Sequence, residues 1–372
     1  MKIAYVSDAI YPYNKGGKEK RLYDISTRLA KMGHDVHIYC MKWWKGKELH
    51  RFENGVHLHA ISPYYPLYSG ERRSIKEGIL FGLACLKLIK ENWDVIDVDH
   101  MPFFPIIFMK VVCVLKGKKM IATWHEVWGL EYWKKYLGWK GYLAFVIEKF
   151  SVFLPDHIIS ITDNTTRRIN TFLGRKNAVS TVLCGVDAEF INRIISSKQL
   201  SDIIFAGRLL SHKNIDLIIK AVSLLKTKKI IIKAFIIGDG PEKRKLVNLT
   251  NKLNLDNQIK FIDFLPKHED VLAMIKSSRL FVFPSEREGF GLVAIEANAC
   301  GIPFITSNHI DNFAQYLIDD KNGFACDLNE MSLSESILKN LDHNSDKYRF
   351  LNAAKKYDWK NSIKDILNLY SL

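Results

Sequence analysis

Two glutamates eight residues apart, Glu288 and Glu296, stand in the run Pro284-Ser-Glu-Arg-Glu-Gly-Phe-Gly-Leu-Val-Ala-Ile-Glu-Ala-Asn-Ala-Cys-Gly-Ile-Pro303. A carboxylate accepts hydrogen bonds from hydroxyls. Between the two, Gly289-Phe290-Gly291 opens a stretch that reads as a helix. Glycines at such a turn let a ligand approach bare backbone. A helix N-terminus offers unpaired N–H groups and a partial positive charge, which favour phosphate. The segment therefore suits a diphosphate flanked by hydroxyl-bearing groups, the chemistry of a nucleotide sugar.

Other candidates each follow a predicted strand. Arg208, in Gly207-Arg208-Leu209, and Lys213 could neutralise a diphosphate, since Arg forks to phosphate oxygens and Lys adds a point charge. Taken singly, either reads equally as a solvated basic turn. Gly16-Gly17-Lys18-Glu19 could present backbone amides to a phosphate, or be an ordinary glycine turn. It is not GxGxxG, so a nicotinamide fingerprint is absent. Gly238-Asp239-Gly240-Pro241 reads first as a turn capping the next helix. His125, in Trp124-His125-Glu126, is either structural or a proton-transfer group near neutral pH. Thr162 and Asp163 read as a helix cap.

The elements that must position these groups alternate. Short β-branched runs and amphipathic helical stretches follow one another, which predicts parallel α/β sheets. In the first half, strands are expected at 3–7, 36–40, 94–98, 119–123 and 157–161, with a helix bearing Leu22, Ile25 and Leu29 on one face and ending at Gly33. Residues 62–70 read as a loop. In the second half, strands are expected at 202–206, 230–237, 259–264, 280–283 and 303–306, with helices at about 213–226, 241–253, 268–277 and 290–299. Two Rossmann-like halves are the economical reading, the boundary falling in Ala188–Ser201. Ligands of open parallel sheets bind beyond the carboxyl ends of strands.

A chain of 372 residues suits two domains. Lys+Arg 54 against Asp+Glu 40 gives +14, a balance that favours anionic partners. The six cysteines are scattered, with no CxxC and no Cys/His cluster of zinc type, and read as core residues in a reducing compartment. The N-terminus reads as a strand rather than a signal peptide. The apolar runs 78–89 and 103–115 fall short of the roughly 20 residues that span a bilayer. A cytoplasmic location is expected, with peripheral contact to an anionic membrane. That contact rests on residues 128–153, where Trp, Tyr and Phe mingle with Lys, aided by Trp43-Trp44-Lys45 and Arg72-Arg73. The same mixture could pack a helix on the sheet, or bind single-stranded nucleic acid. No nucleic-acid motif supports the last, and no nucleic-acid partner is expected.

The Pro284–Pro303 string resembles the Glu-x7-Glu signature of retaining glycosyltransferases of the GT-B fold, family 4 in particular. Gly-Gly-x-Glu at 16–19, Gly33-His34, Gly-Arg-Leu then Lys213, and Gly-Val-Asp at 185–187 match that family in order. Asn214 replaces the usual Gly, Cys184 the usual Asn, and the loop Thr306–Asn312 the usual Gly-Gly-x-Glu. The resemblance implies two Rossmann-like domains facing each other across a cleft, with residues 1–188 the acceptor domain, 189–358 the donor domain, and the helix of 359–372 returning to the first. It implies transfer of a hexose from a UDP- or GDP-sugar to a hydroxyl acceptor, a lipid-linked or cell-envelope glycan, with retention and without metal or cofactor. Arg208 and Lys213 would stabilise the leaving diphosphate, helped by Gly16, Gly17, Gly289, Phe290 and Gly291, and the Gly238 loop would border the nucleotide base. Glu288 would hold sugar hydroxyls, Glu296 the ribose, and His125 the sugar. Competing readings are a glucan-synthase-like enzyme and a non-catalytic nucleotide-sugar-binding subunit.

Overall fold

The structure, a computed structural model, describes residues 1–69, 72–319, 322–341 and 347–371. Gly70, at the end of the expected loop, lies outside them. The chain divides into two compact units, Met1–Cys184 with Lys360–Leu372, and Gly185–Trp359.

In the first unit the strands are β1 Lys2–Val6, β2 Asp35–Met41, β3 His50–Glu53, β4 Val56–Ser62, the two-residue β5 Tyr68–Ser69 and β6 Arg72–Arg73, then β7 Val95–Asp99, β8 Ile121–Trp124, β9 His157–Ser160 and β10 Val179–Thr181. The main sheet runs β10-β9-β8-β7-β1-β2-β4-β3, parallel except for the antiparallel edge pair β3–β4. In the second unit β11 Ser201–Ala206, β12 Ala234–Ile237, β13 Ile259–Ile262, β14 Ser278–Phe283, β15 Phe304–Ser307 and β16 Gly323–Cys326 pair in parallel in the order β13-β12-β11-β14-β15-β16. Both units are doubly wound parallel α/β folds, as the alternating pattern predicts.

Central strands are buried on both faces, so they read as continuous apolar runs and were the easiest to place. The hairpin β3–β4, the short pair β5–β6, the strand β10 and the strand β16 fall outside the predicted elements, and β5 makes the end of the expected loop 62–70 a strand. β3, β4 and β10 are edge or near-edge strands carrying polar residues, and β16 has only four residues. The helix Gly17–Lys31 buries Leu22, Ile25 and Leu29. Its end closes as expected at Gly33, in the left-handed region at φ 88°, with His34 N–H reaching Leu29 O at 3.2 Å. All six cysteines are free and buried.

The final helix, Trp359–Tyr370, ends on the sheet of the first unit. The Tyr370 hydroxyl lies 2.8 Å from Asp97 Oδ2 and 3.1 Å from the Tyr5 hydroxyl. Asp97 is buried and also accepts from Thr123 Oγ1 at 2.9 Å. Burial outweighs those bonds and pushes its carboxyl up to about 6. Tyr370→Phe removes the hydroxyl and leaves Asp97 under-bonded, so it should destabilise the protein by about 1–3 kcal/mol. Urea unfolding should show a lower midpoint with an unchanged slope.

Candidate active site

In the second unit the carboxyl end of β14 runs into the loop that carries Glu288. Lys213 Nζ lies 2.5 Å from Glu288 Oε1, and Ser285 Oγ donates to the same oxygen at 2.7 Å. Both charged side chains are largely buried, at 19% and 14% exposure, so each needs the other or a ligand to offset its desolvation. Backbone bonds fix the loop. Glu286 N–H donates to His212 O at 2.7 Å, Glu288 N–H to Asp311 O at 3.2 Å, and Phe313 N–H to Glu288 O at 3.1 Å. The divergent loop Thr306–Asn312 thus brackets Glu288. Its buried Asn312 donates from Nδ2 to Thr306 Oγ1 and to Ser307 O, both at 2.8 Å.

Lys213 closes a 3-10 turn, Ser211–Lys213, and Asn214 follows in the left-handed region at φ 51°. Asn tolerates that conformation better than most residues, which explains how it stands where the family has Gly. Its Nδ2 donates to Pro284 O at 3.0 Å and ties the Lys213 turn to the Glu288 loop. The His212 imidazole is pushed down to about 3, first by burial, then by Lys213, Arg287 and Arg208. Three cations therefore raise the potential at this one turn. Arg287 was not among the predicted site residues, although it lies between the paired glutamates in sequence.

Gly207 and Gly238 bring two loops into backbone contact. Gly207 N–H donates to Ile237 O at 3.0 Å and Leu209 N–H to Asp239 O at 2.9 Å. A Cβ on Gly238, whose φ is 142°, would lie 1.9 Å from Gly207 O. The glycine at 238 is required by this approach, in addition to the turn that the sequence indicated. Gly291 is the N-cap of the helix Leu292–Ala299, at φ 84°, and a Cβ there would meet the Ala314 Cβ at 2.6 Å. Gly289 precedes it. Phe290 is buried with its ring edge-on to Tyr357 at 5.8 Å, so its side chain supports the loop from within. Glu296 lies in that helix, nearly buried, with His268 Nε2 2.8 Å from its Oε1. His268 was not anticipated from sequence. Gly185 also has a packing reason, since a Cβ there would come within 2.5 Å of the Trp359 ring.

In the first unit, His125 follows β8. Its Nε2 lies 2.9 Å from Asp99 Oδ1, and its backbone N–H donates to His100 Nδ1 at 3.2 Å. Burial holds the His125 imidazole below its ordinary range despite Asp99. Lys18, next to Gly17, turns inward to Asp8 at 2.7 Å and Asp99 at 3.3 Å, and Arg73 bonds the other Asp8 oxygen. Burial alone would raise the Asp99 carboxyl, but Lys18 and then His125 hold it well below the usual carboxylate range. A small cavity is lined by Tyr5, Lys18, Asp97, Asp99, Thr123 and His125. Gly17 starts the helix Gly17–Lys31 and Gly16 is its N-cap. Asp8, Lys18 and Asp99 were missed as site residues. The available signal was a carboxylate just beyond, or at the end of, an apolar strand. Thr162 caps the helix Asp163–Arg168 by accepting from Thr165 N–H at 2.9 Å, as expected.

The expected aromatic surface is only partly exposed. Trp128 and Trp133 are buried, and buried Glu148 accepts from Trp128 N–H, Gly129 N–H and Trp133 Nε1 at 2.7–3.1 Å. Trp43 donates to Asp8 O, Trp44 is buried, and Arg73 pairs with Asp8. Those three therefore do not add to an outer surface. Trp139, Tyr142, Leu143, Val146, Phe150 and Phe153 do face solvent.

Residues 187–357 match the family described as Glycosyl transferases group 1, and residues 15–190 match Glycosyltransferase Family 4. The chain belongs to the family 4, group 1 glycosyltransferases. Among curated relatives, an O-antigen chain mannosyltransferase B of Escherichia coli is 31% identical over 138 residues, covering 36% of this chain and 35% of that protein. The matches span 22–35% of the length of the first curated relatives. Among solved structures, sucrose-phosphate synthase from Thermosynechococcus elongatus superposes with a TM-score of 0.81 at 16% identity, covering 100% of this chain and 98% of that one. HepE of Anabaena, solved in complex with UDP-glucose, gives 0.77 at 16% identity and covers 100% of both chains. At such identities these likenesses establish the GT-B fold.

Gly238→Ala tests the backbone contact within the second unit. The added methyl meets a carbonyl that cannot rotate away, so a loss of about 1–3 kcal/mol is expected. Scanning calorimetry should show it as a fall in melting temperature of several degrees.

Proposed function

We propose that this family member is a retaining hexosyltransferase that uses a UDP- or GDP-sugar and a hydroxyl acceptor. The observation that carries this is the cationic turn around His212, where Lys213, Arg208 and Arg287 converge and Lys213 meets Glu288. A diphosphate leaving group develops charge as the bond to the anomeric carbon breaks. Preorganised cations and a helix N-terminus act most strongly on such charge. Lys213 and Arg208 would take the phosphate oxygens, together with the start of the helix Leu292–Ala299. This provides charge neutralisation from the protein's own groups, without a divalent metal. Glu288, already held by Ser285, would accept from sugar hydroxyls. Glu296, held by His268, would accept from the ribose. His125, oriented by Asp99, would contact the sugar as a neutral imidazole.

In the chemical step the acceptor oxygen bonds the anomeric carbon on the face that the diphosphate leaves. The acceptor's proton passes to the departing phosphate oxygen. This front-face route requires no covalent glycosyl-enzyme.

Thermal unfolding with UDP, GDP and ADP tests the donor site. A ligand at roughly 100 times its dissociation constant adds about 2.7 kcal/mol to apparent stability. One nucleotide should raise the melting temperature, and Lys213→Ala should cut turnover by about 10²–10³-fold while the protein stays folded. A nucleotide shift without any transfer to glycan acceptors would favour a non-catalytic binding subunit.

The acceptor we propose is a lipid-linked or cell-envelope glycan, reached at an anionic membrane surface from the cytoplasmic side. Among the described residues no helix is long and apolar enough to cross a membrane. The helix Gly141–Ser151 instead exposes Tyr142, Leu143, Val146 and Phe150, next to Trp139 at 79% exposure, with Lys140 and Lys149 nearby in sequence. An apolar stripe beside lysines suits the interface of an anionic bilayer. Flotation with anionic vesicles should recover the wild type. The double variant Leu143→Asp, Val146→Asp should remain in the soluble fraction, and equal recovery of both would count against this surface.

A further inference from the structure

We propose that Asp35, His37 and His57, on one face of β2 and β4, form a binding site for a borderline divalent cation of the zinc type, separate from the candidate active site. The sequence shows no cluster of zinc spacing, because the cluster is made by strand pairing. Side chains alternate along a strand, so Asp35, His37 and Tyr39 share one face. The register sets His37 opposite His57 and Tyr39 opposite His59, while His50 of β3 lies opposite His59. Four imidazoles thus gather on one face of the sheet edge, with the His37 and His57 rings stacked at 4.7 Å.

Three ligand atoms converge. Asp35 Oδ1 lies 2.9 Å from His37 Nε2 and 3.8 Å from His57 Nε2, and all three atoms fall within 4.8 Å of one another. Zinc bonds of about 2.0–2.2 Å at tetrahedral angles require ligand atoms about 3.4 Å apart. Reaching it requires the partly exposed His57 ring to rotate out of its stack on His37, so that both Nε2 atoms aim at one ion. Two neutral imidazoles and one carboxylate are a ligand set that zinc accepts, with the fourth position left to water. Asp35 is exposed, which gives an ion an entry path.

The second nitrogen of each ligating ring is already held. His37 Nδ1 lies 2.8 Å from His59 Nε2, and His57 Nδ1 lies 3.0 Å from His50 Nε2. A bound ion would displace the proton that His37 Nε2 donates to Asp35, leaving the ring protons on Nδ1, where both outer bonds are satisfied. Such outer partners orient metal-ligating histidines and raise their basicity. A surface group of histidines without this function has no need of paired outer partners.

The test uses full-length protein without a histidine tag, stripped with chelator and titrated with zinc chloride by calorimetry and by competition with a chromophoric chelator. One equivalent should bind and raise the melting temperature. Asp35→Asn and His57→Gln, both at accessible positions, should each weaken that equivalent about tenfold or more, and His50→Ala should weaken it through lost orientation. Circular dichroism of the zinc-free variants checks that they fold. Failure of the wild type to bind an equivalent would overturn the proposal. So would an equivalent that binds both ligand variants as tightly as the wild type, which would place the zinc elsewhere.

Discussion

A parallel strand covered on both faces has no room for charge along its length, so polar groups collect at its ends. Most of the candidate site residues obey that constraint; buried Asp97, inside β7, does not, and is held by Tyr370 and Thr123. Asp8 follows β1, Asp99 ends β7, His125 follows β8 and Thr162 follows β9 in the first unit. Gly207 and Arg208 follow β11, Gly238 follows β12, and Ser285 and Glu288 follow β14 in the second. The sheets exist because their strands are apolar, and the sites exist because the loops beyond those strands need not be.

Crowding charge at strand ends creates its own problem, which each unit solves by pairing. Asp8 is buried between Lys18 and Arg73, and Asp99 between Lys18 and His125. Lys213 and Glu288 do the same in the second unit. A buried pair of this kind is weak support for stability, because desolvation cancels much of the attraction. Its use is in positioning. The pair holds Lys213 and Glu288 in one arrangement, so little side-chain freedom would remain to be lost on binding the proposed donor.

Much of this was legible in the chain. The apolar runs of β1, β2, β11 and β14 mark central strands, and the helix Gly17–Lys31 shows its buried face in Leu22, Ile25 and Leu29. Glu288, Glu296, Arg208 and Lys213 stand out by type, spacing and resemblance. What escaped detection was short or half-covered. β4 alternates histidines with apolar residues and β3 is mostly polar, and a histidine near a sheet edge carries no mark of what faces it. Asp8, Asp99 and His268 are single residues in loops or at element ends, unremarkable until another segment is brought beside them.

The sequence by itself determined the alternation of strands and helices, and with it the parallel sheets, because apolar periodicity is a local property that the chain carries in any conformation. It also determined which residue types stand after each strand. Only the tertiary structure decided partners: His125 with Asp99, Glu296 with His268, Gly238 against the Gly207 carbonyl, and Asp35 with His37 and His57. Those contacts join residues from 2 to 31 positions apart in sequence, all of them set by strand register or loop packing. Register depends on the summed burial of whole faces. No single residue type encodes it, which is why the groups could be named from the chain while most of their pairings could not.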